Sequence, residues 1–208
     1  TIKTYYGVIL MKNIIFDLGN VLILFEPDKY VNQNLSDDKR ERFLNTVFHS
    51  EEWLDLDRGT LSYEDAKKIF KSKLKDCDKE VENLFHDNFY GMLEPIKENV
   101  KILEKLKGKY NLYILSNFHK DSFETISSRH DFFNHFDGGI VSAFHNCIKP
   151  DEEIYRLLIE KYDLNPDETL FIDDLEKNIL KAQEIGIKTI HLTDYTKLED
   201  KLKENNII

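Results

Sequence analysis

The sequence predicts an α/β fold in which a parallel sheet carries helices on both faces and a separate helical bundle is inserted after the first strand. From residue 95 onward, short apolar runs alternate with segments of helical periodicity, which is typical of βαβ units. The runs are continuously apolar rather than alternating, as expected for strands buried on both faces of a parallel sheet. Residues 27–94 show helical periodicity and no convincing strand.

The first strand is predicted where Ile14, Ile15 and Phe16 run directly into Asp17, with Gly19 two positions later. In open α/β sheets, ligands bind beyond the carboxyl ends of the strands, and Asp17 occupies such an end. The carboxylate is therefore a candidate metal ligand, a candidate nucleophile, or the N-cap of a following helix.

The inserted segment is predicted to form three or four helices. Pro27 ends the strand pattern, because proline cannot continue a central strand. Ser62 and Asp65 are spaced as a capping box at the start of one helix. We interpret Trp53 and the other aromatic residues of this segment as bundle core, with Trp53 lining a ligand pocket as the alternative.

The remaining elements follow from the same patterns. Residues 100–106 are amphipathic and stop at Gly108, a residue typical of helix ends. Strands are predicted at residues 112–115, 139–142, 169–172 and 188–192, and further helices at 120–129, 154–162, 178–185 and 197–204.

Charge and composition limit the partners. The 208 residues carry a net charge of −10, and an acidic surface disfavours nucleic acid and anionic membranes. No apolar run approaches the ~18 residues that a membrane span requires. We therefore expect a small-molecule partner, with no nucleic acid and no membrane, and a chain that is a monomer or a homodimer.

The cysteine content and the beginning of the sequence predict a cytoplasmic protein. Cys77 and Cys147 form no closely spaced pair, so we expect reduced thiols. No secretory signal pattern is present, and residues 1–10 are interpreted as an extension before Met11. The predicted domains are a core of residues 11–26 and 95–208 and an inserted bundle of residues 27–94.

Polar residues follow three of the predicted strands: Asp17, Ser116-Asn117 and Asp173-Asp174. If the strands are parallel, these ends share one edge, where like charges ~4 Å apart repel by about 4 kcal/mol per pair at an effective dielectric constant of about 20. Such a cluster needs a cation, and oxygen ligands with an open side suit Mg²⁺. Lys149 supplies a second positive charge, while the Ser116 hydroxyl and backbone amides can hold an anion. The sequence thus predicts a site for a phosphoryl group.

The order of four segments resembles the four motifs of the haloacid dehalogenase-like (HAD) hydrolase superfamily. The segments are Phe16-Asp17-Leu18-Gly19-Asn20-Val21, Leu115-Ser116-Asn117, Lys149-Pro150-Asp151 and Phe171-Ile172-Asp173-Asp174. The resemblance covers essentially the whole chain from Met11. It implies a Rossmann-like core with a helical cap inserted after the first motif, and an Mg²⁺-dependent phosphatase acting on a small phosphorylated metabolite, of which a sugar phosphate is one candidate.

The resemblance also implies a role for each site residue. Asp17 would be the nucleophile that forms an aspartyl-phosphate. Mg²⁺ would be bound by Asp17, the Gly19 carbonyl and Asp174, with Asp173 acting directly or through water. The phosphoryl oxygens would be held by Ser116 and the Asn117 backbone, Lys149 would balance the charge between carboxylate and phosphate, and Asn178 would orient the acidic pair.

One position departs from most phosphatases of the superfamily. They carry a second acid two residues after the nucleophile, where this chain has Gly19. A branch similar to bacterial glucose-1-phosphatase also begins Asp-Leu-Gly-Asn, so the glycine does not imply an inactive enzyme. General acid–base catalysis is typically worth about 10²–10⁴-fold in rate.

Several groups are candidates for the missing acid. Glu26, nine residues after Asp17, is our candidate catalytic substitute from the cap hinge, with an exposed hinge acid as the alternative. Water, or a leaving group of low basicity, could also serve. His119 and His145 suit proton transfer near neutral pH, but we interpret both as solvated loop residues.

Other functions remain open at this point. A HAD-fold protein that binds phosphate or a partner without turnover is one alternative. A haloacid dehalogenase is less favoured, because that chemistry needs no metal and would leave Asp173 and Asp174 without a cation. A phosphomutase would depend even more on the acid that Gly19 replaces.

Overall fold

The computed structural model of the protein describes residues 10–88 and 90–208. The predicted extension, residues 1–10, lies outside the described residues except for Leu10. The strands are β1 (Asn13–Phe16), β2 (Ile23–Phe25), β3 (Leu93–Pro95), β4 (Asn111–Ser116), β5 (Gly138–Val141), β6 (Thr169–Asp173) and β7 (Lys188–His191). Five of them form a parallel sheet in the order β5-β4-β1-β6-β7, which confirms the predicted α/β class.

Ten α-helices are described. Five lie between β2 and β3: α1 (Pro27–Asn34), α2 (Asp37–Thr46), α3 (Glu51–Arg58), α4 (Tyr63–Lys73) and α5 (Asp78–Asn83). The others are α6 (Lys97–Leu106), α7 (Lys120–Arg129), α8 (Glu152–Tyr162), α9 (Glu176–Glu184) and α10 (Leu198–Glu204). No helix of the described residues is both long and apolar enough to cross a bilayer.

The register of the central strand sets the position of the polar residues. Phe16 of β1 pairs with Ile114 on one side and Ile172 on the other. The chain continues from these positions to Asp17, and from Ile172 to Asp173, at the same edge of the sheet. The first strand separates the two halves of the sheet, which is the point where open α/β sheets form ligand crevices.

The strand side chains fill two apolar clusters, one on each face of the sheet. Ile14 and Phe16 lie in one cluster and Ile15 lies in the other, as the two-residue period of a strand requires. The first cluster continues without a break into the inserted helices through Phe43 and Phe70, so these helices pack on the core rather than forming a separate one.

The predicted N-cap residue of α4, Ser62, is confirmed, and its partner in the predicted capping box, Asp65, lies beside it. The Asp65 amide donates to Ser62 Oγ at 3.2 Å, and the Ser62 hydroxyl donates to the Asp65 carboxylate at 2.8 Å. The first bond satisfies a backbone amide that the helix itself leaves unpaired, and the second joins the two side chains.

The sequence reading missed one strand pair. Leu93–Pro95 pairs antiparallel with Ile23–Phe25, so the chain enters and leaves the inserted helices through a two-stranded ribbon. Three residues are too few to show the alternation of apolar and polar side chains that predicts a strand. Pro95 also argued against a strand, because proline is rare within sheets. The predicted domain boundaries, at residues 26/27 and 94/95, fall in or next to this ribbon.

The end of α3 is fixed against the core. The Ser142 hydroxyl donates to the Asp57 carbonyl oxygen and accepts from the Phe118 amide at 2.9 Å. Gly59 follows with φ = +77°, and a Cβ built there would lie 2.2 Å from the Ala143 carbonyl oxygen. Only glycine fits this contact, because both the backbone conformation and the close approach exclude a side chain.

Candidate active site

Three carboxylates converge at the carboxyl edge of the sheet. Asp17, Asp173 and Asp174 each place an oxygen within 4.8 Å of the others. Asp17 and Asp173 are buried, and Asp174 is half-buried. The edge position predicted from the strand pattern thus brings the three acids together.

Lys149 lies between two of these acids. Its Nζ is 3.0 Å from Asp17 Oδ1 and 2.6 Å from Asp173 Oδ2, and its side chain is 1% exposed. Burial disfavours the ammonium, but Asp17 and Asp173 outweigh this and raise the pKa of Lys149 above its usual value. Lys149 is therefore a fixed positive charge at this site.

Asp173 is held by several protein groups. Besides Lys149, its carboxylate accepts from the Leu175 amide at 2.8 Å and from Asn178 Nδ2 at 3.0 and 3.1 Å. These bonds place Asn178 where it can orient Asp173. With both oxygens of Asp173 in use, this residue is better placed to orient Lys149, and to hold a metal through water, than to coordinate it directly.

Asp174 has fewer protein contacts. Asn20 Nδ2 donates to its Oδ2 at 3.1 Å, and Asn20 Oδ1 accepts from the Phe25 amide at 3.2 Å. Asn20 has φ = 51°, a left-handed conformation that asparagine tolerates better than most residues. The loop after β1 therefore ties Asp174 to the ribbon that leads into the inserted helices.

The electrostatics favour a bound cation. Burial raises the pKa of Asp17, with Lys149 opposing and Asp173 and Asp174 adding to the rise; burial also raises the pKa of Asp174. An ion among hard oxygen ligands would reverse this penalty, and Mg²⁺ is bound by such ligands. Asp17 and Asp174, with the Gly19 backbone beside them, are the residues that fit a direct role.

The phosphoryl-binding candidates lie beside the acids. The Ser116 hydroxyl is buried next to the Asp17 carboxylate, where it lowers the carboxyl pKa, and it forms no well-aligned hydrogen bond with any described residue. A buried hydroxyl of this kind is suited to an incoming acceptor such as a phosphoryl oxygen. The Asn117 side chain instead bonds to the backbone of Lys149.

A cavity of about 460 Å³ opens above this edge. Asp17, Gly19, Asn117, Lys149 and Asp174 line its floor. Its walls are largely apolar and come from the inserted helices, the ribbon and the loop after β4; they include Phe25, Phe48, Trp53, Leu54, Leu93 and Phe118. Trp53 thus lines the pocket, as the alternative interpretation held, while also packing in the core.

Sequence reasoning missed one titratable residue of this cavity, Asp57, and favoured a solvated loop for another, His119. Asp57 and His119 both line it, with Asp57 Oδ1 3.4 Å from His119 Nε2. His119 is 3% exposed, so its interpretation as a solvated loop residue was wrong. Burial lowers the pKa of His119 to about 3, and the ring is neutral at physiological pH. The spacing in the sequence could have indicated Asp57, because it lies four residues after Trp53 and therefore on the same helix face as a candidate pocket residue.

Glu26 lies elsewhere. It is the N-cap residue of α1, and its carboxylate pairs with Lys29 at 3.0 Å. It is not among the described residues that line the cavity. His145 is half-buried beside a different groove, next to Phe144 and Lys161.

Comparison with known proteins agrees with this geometry. Residues 11–186 match the family model of the haloacid dehalogenase-like hydrolases. A sesquiterpene phosphatase of Aspergillus oryzae is 30% identical over 184 residues, covering 88% of this chain and 90% of that protein. A D-ribitol-5-phosphate phosphatase of Bacteroides thetaiotaomicron is 26% identical over 195 residues, covering 86% and 91%.

The fold comparison points the same way. A HAD family enzyme of Bacteroides thetaiotaomicron superimposes with a TM-score of 0.68 at 25% identity, covering 87% of this chain and 93% of that one. A variant of that enzyme, crystallised with magnesium and inorganic phosphate, shares the fold with a TM-score of 0.72 at 22% identity, over 87% and 93% of the two chains. The protein belongs to the haloacid dehalogenase-like hydrolases and is a hydrolase of the phosphatase type.

Proposed function

We propose that this member of the haloacid dehalogenase-like hydrolases is an Mg²⁺-dependent phosphomonoesterase that works through an aspartyl-phosphate on Asp17. The observation that carries the proposal is the buried Asp17 carboxylate, 3.0 Å from the Lys149 ammonium and clustered with Asp173 and Asp174. An attacking carboxylate, a fixed positive charge and a second acid free to bind a cation are the parts that phosphoryl transfer requires.

The residues present fit magnesium. Asp17, the Gly19 carbonyl and Asp174 would hold the ion, with Asp173 acting through water because its oxygens already accept from Lys149, Asn178 and Leu175. The related Bacteroides enzyme was crystallised with this ion and phosphate together. When bound, the ion neutralises charge on the phosphoryl oxygens.

The side chains and backbone groups of the site have separate roles in the reaction. The Asp17 carboxylate attacks phosphorus and is later released by water. Lys149 offsets the charge of the phosphoryl group as it approaches Asp17. The Ser116 hydroxyl and the Asn117 backbone amide donate to phosphoryl oxygens, while the Asn117 side chain fixes the backbone of Lys149.

The cavity wall favours a substrate whose leaving group is apolar. Seven apolar side chains line the cavity above Asp17, and four of them are aromatic. Along the apolar part of the wall a polyol would leave hydroxyls without partners, and unpaired buried polar groups are costly. Of the substrates named for the two relatives, a sesquiterpene phosphate suits this wall better than ribitol 5-phosphate. A sugar phosphate is the second candidate.

The inserted helices are proposed to act as the cap that sets selectivity, because they and the turn between α2 and α3 supply Phe48, Trp53 and Leu54 to the apolar wall. Haloacid dehalogenase activity is not supported, since a reaction that needs no cation would leave Asp174 close to Asp17 and Asp173 with Lys149 as the nearby counter-charge.

The test is phosphate release from a panel of a prenyl monophosphate, an alkyl monophosphate, ribitol 5-phosphate and glucose 1-phosphate. We expect release that needs Mg²⁺, stops with EDTA, is lost in Asp17→Asn and is fastest with the prenyl substrate. Glu160→Gln, an exposed acid on α8, is the matched control. Turnover by Asp17→Asn at the wild-type rate, or metal-independent release, would contradict the proposal.

A further inference from the structure

Two residues after the nucleophile, the chain has a glycine and therefore no side chain that could move a proton. Gly19 lines the cavity two residues after Asp17, and a Cβ built on it would meet nothing within 4 Å. An alkoxide leaving group is a strong base, so its departure without a proton donor is slow. The open space beside Gly19 leaves room for a donor from another part of the fold.

Four titratable side chains line the cavity, within the described ranges, apart from the acids and lysine assigned above: His49, Asp57, His119 and Lys177. His49 and Lys177 are exposed. His119 is buried and neutral at physiological pH, since burial lowers its pKa to about 3, so it carries no excess proton to donate. Asp57 is the remaining group.

The backbone of Asp57 is hydrogen-bonded to the core, and its carboxylate lies beside a buried histidine. Its carbonyl oxygen accepts from Ser142 of the core, and its carboxylate Oδ1 lies 3.4 Å from His119 Nε2. The other ring nitrogen of His119 lies 3.2 Å from the Tyr63 hydroxyl. The Asp57 side chain is 15% exposed. Its carboxyl group lies where α3, α4 and the loop before α7 meet.

The charged groups around Asp57 tune its proton affinity. Burial raises the pKa of Asp57 to about 7; the charge of Asp17 adds to the rise, while Lys149, Arg58 and Lys177 oppose it. Near neutral pH the group therefore exists in both forms, as an acid–base catalyst requires.

We propose that Asp57 is the catalytic acid and base of this enzyme, supplied by the inserted helices in place of a side chain at Gly19. The assignment rests on the proposed phosphatase function. Tyr63 is a positioning residue, because it contacts His119 and is not among the described residues that line the cavity. His119 lines the cavity, but its neutral ring has no excess proton to donate, so we assign it a positioning role beside Asp57.

Asp57 exchanges a proton in each of the two chemical steps. An Asp17 carboxylate oxygen bonds to phosphorus, the bond from phosphorus to the leaving oxygen breaks with its electron pair, and that oxygen takes the Asp57 proton. Water then attacks the phosphorus of the aspartyl-phosphate and gives a proton to the Asp57 carboxylate, while the bond to Asp17 breaks and restores its carboxylate.

The experiment compares wild type, Asp57→Asn and Asp55→Asn with Mg²⁺ present. Asp55 is the matched control, since it lies on the same helix, is 45% exposed at its side chain and pairs with Arg58 instead. The substrates are an alkyl phosphate, which needs a proton on its leaving oxygen, and 2,4-dinitrophenyl phosphate, which does not.

We expect Asp57→Asn to lower alkyl phosphate turnover by about 10²–10⁴-fold. With the dinitrophenyl ester, Asp57→Asn should release the phenol in a burst close to the wild-type rate. The variant should then stall as a phosphoenzyme, because the Asp57 carboxylate is no longer present to take a proton from the attacking water. Asp55→Asn should behave as wild type, and Asp57→Glu should recover part of the alkyl activity.

A measurement on the wild type covers the case in which Asp57→Asn does not fold. The value of kcat/KM for the alkyl phosphate should fall as pH rises through about 7, whereas the burst with the dinitrophenyl ester should lack that limb. Equal pH profiles for both substrates, or wild-type alkyl turnover in Asp57→Asn, would overturn the assignment of Asp57. Failure of the phosphatase proposal would look different: Asp17→Asn would keep its activity, or no substrate would release phosphate.

Discussion

Asn117 and Lys149 form a closed pair of hydrogen bonds between a side chain and a backbone. The Lys149 amide donates to Asn117 Oδ1 at 2.8 Å, and Asn117 Nδ2 donates to the Lys149 carbonyl oxygen at 3.0 Å. The residue after β4 thereby sets the position of the lysine on another loop, 32 residues away in sequence. The position of the ammonium near Asp17 therefore depends on a residue whose side chain bonds to the Lys149 backbone.

Asn117→Ala should reduce activity without unfolding the protein. Loss of both bonds lets the Lys149 backbone shift, and a displacement near 1 Å can cost about 10²-fold in rate. We expect a fall of about that size in kcat with a smaller change in KM. Asn205→Ala is the control, because Asn205 also bonds to a backbone carbonyl but on the exposed end of α10. Wild-type kcat in Asn117→Ala would refute this role.

Lys149→Met should destabilise the protein as well as inactivate it. The substitution leaves Asp17 and Asp173 buried without their counter-charge, and breaking a buried ion pair typically costs about 3–5 kcal/mol. Urea unfolding should show this loss at pH 8. The loss should shrink at pH 5, because Asp17, whose pKa is raised by burial, takes up a proton there. A loss independent of pH would indicate a packing effect instead.

Mg²⁺ should stabilise the wild type and not Asp174→Asn. An ion present at 100 times its dissociation constant adds about 2.7 kcal/mol to the free energy of unfolding. Thermal unfolding with and without Mg²⁺ measures this. Asp174→Asn should lose most of the increase in Tm, whereas Glu160→Gln should keep it. An equal increase in all three proteins would place the ion elsewhere.

His119 should make the protein less stable at low pH. Its pKa is about 3 when folded and about 6.5 in an unfolded chain. Between these values the unfolded state binds more protons, so stability falls as pH drops below about 6.5, by about 2 kcal/mol at pH 5. Asp57, whose folded pKa is raised, acts in the opposite direction. The difference between wild type and His119→Gln in urea unfolding from pH 8 to pH 5 isolates the histidine; parallel curves would disprove the prediction.

Leu54→Asn should shift substrate preference. Leu54 is half-buried and lines the cavity, so an amide there gives a polar partner to hydroxylated substrates and removes apolar contact. We expect kcat/KM for the prenyl phosphate to fall by about tenfold, near 1.4 kcal/mol, with little loss for ribitol 5-phosphate. Leu180→Asn, at a leucine that is 52% exposed, is the control. Equal losses for the two substrates would argue against the apolar wall as the selective element.

The sequence predicted the parts of the site that depend on strand ends. Apolar runs locate β1, β4 and β6, and parallel pairing then places Asp17, Ser116 and Asp173 at one edge. The positions of Asp57 and Glu26 relative to the site could not be predicted in this way. Both are acids near helix ends, and sequence spacing from Asp17 favoured Glu26. What distinguishes them is packing across the chain, because Ser142 and His119 meet Asp57 while Lys29 pairs with Glu26. The ribbon β2–β3 was missed for a similar reason, since three-residue strands take their structure from their partner.

The ribbon that joins the inserted helices to the core has an evolutionary consequence. Ile23 pairs with Pro95, and neighbouring strands lie about 4.8 Å apart. The intervening chain therefore starts and finishes at nearly the same point, and a segment of different length or shape could be exchanged there without moving β1 or Asp17. Replacement of the inserted helices would then change substrate selectivity and leave the residues of the chemical step in place. If Asp57 serves as the acid, however, each replacement module must bring its own proton donor.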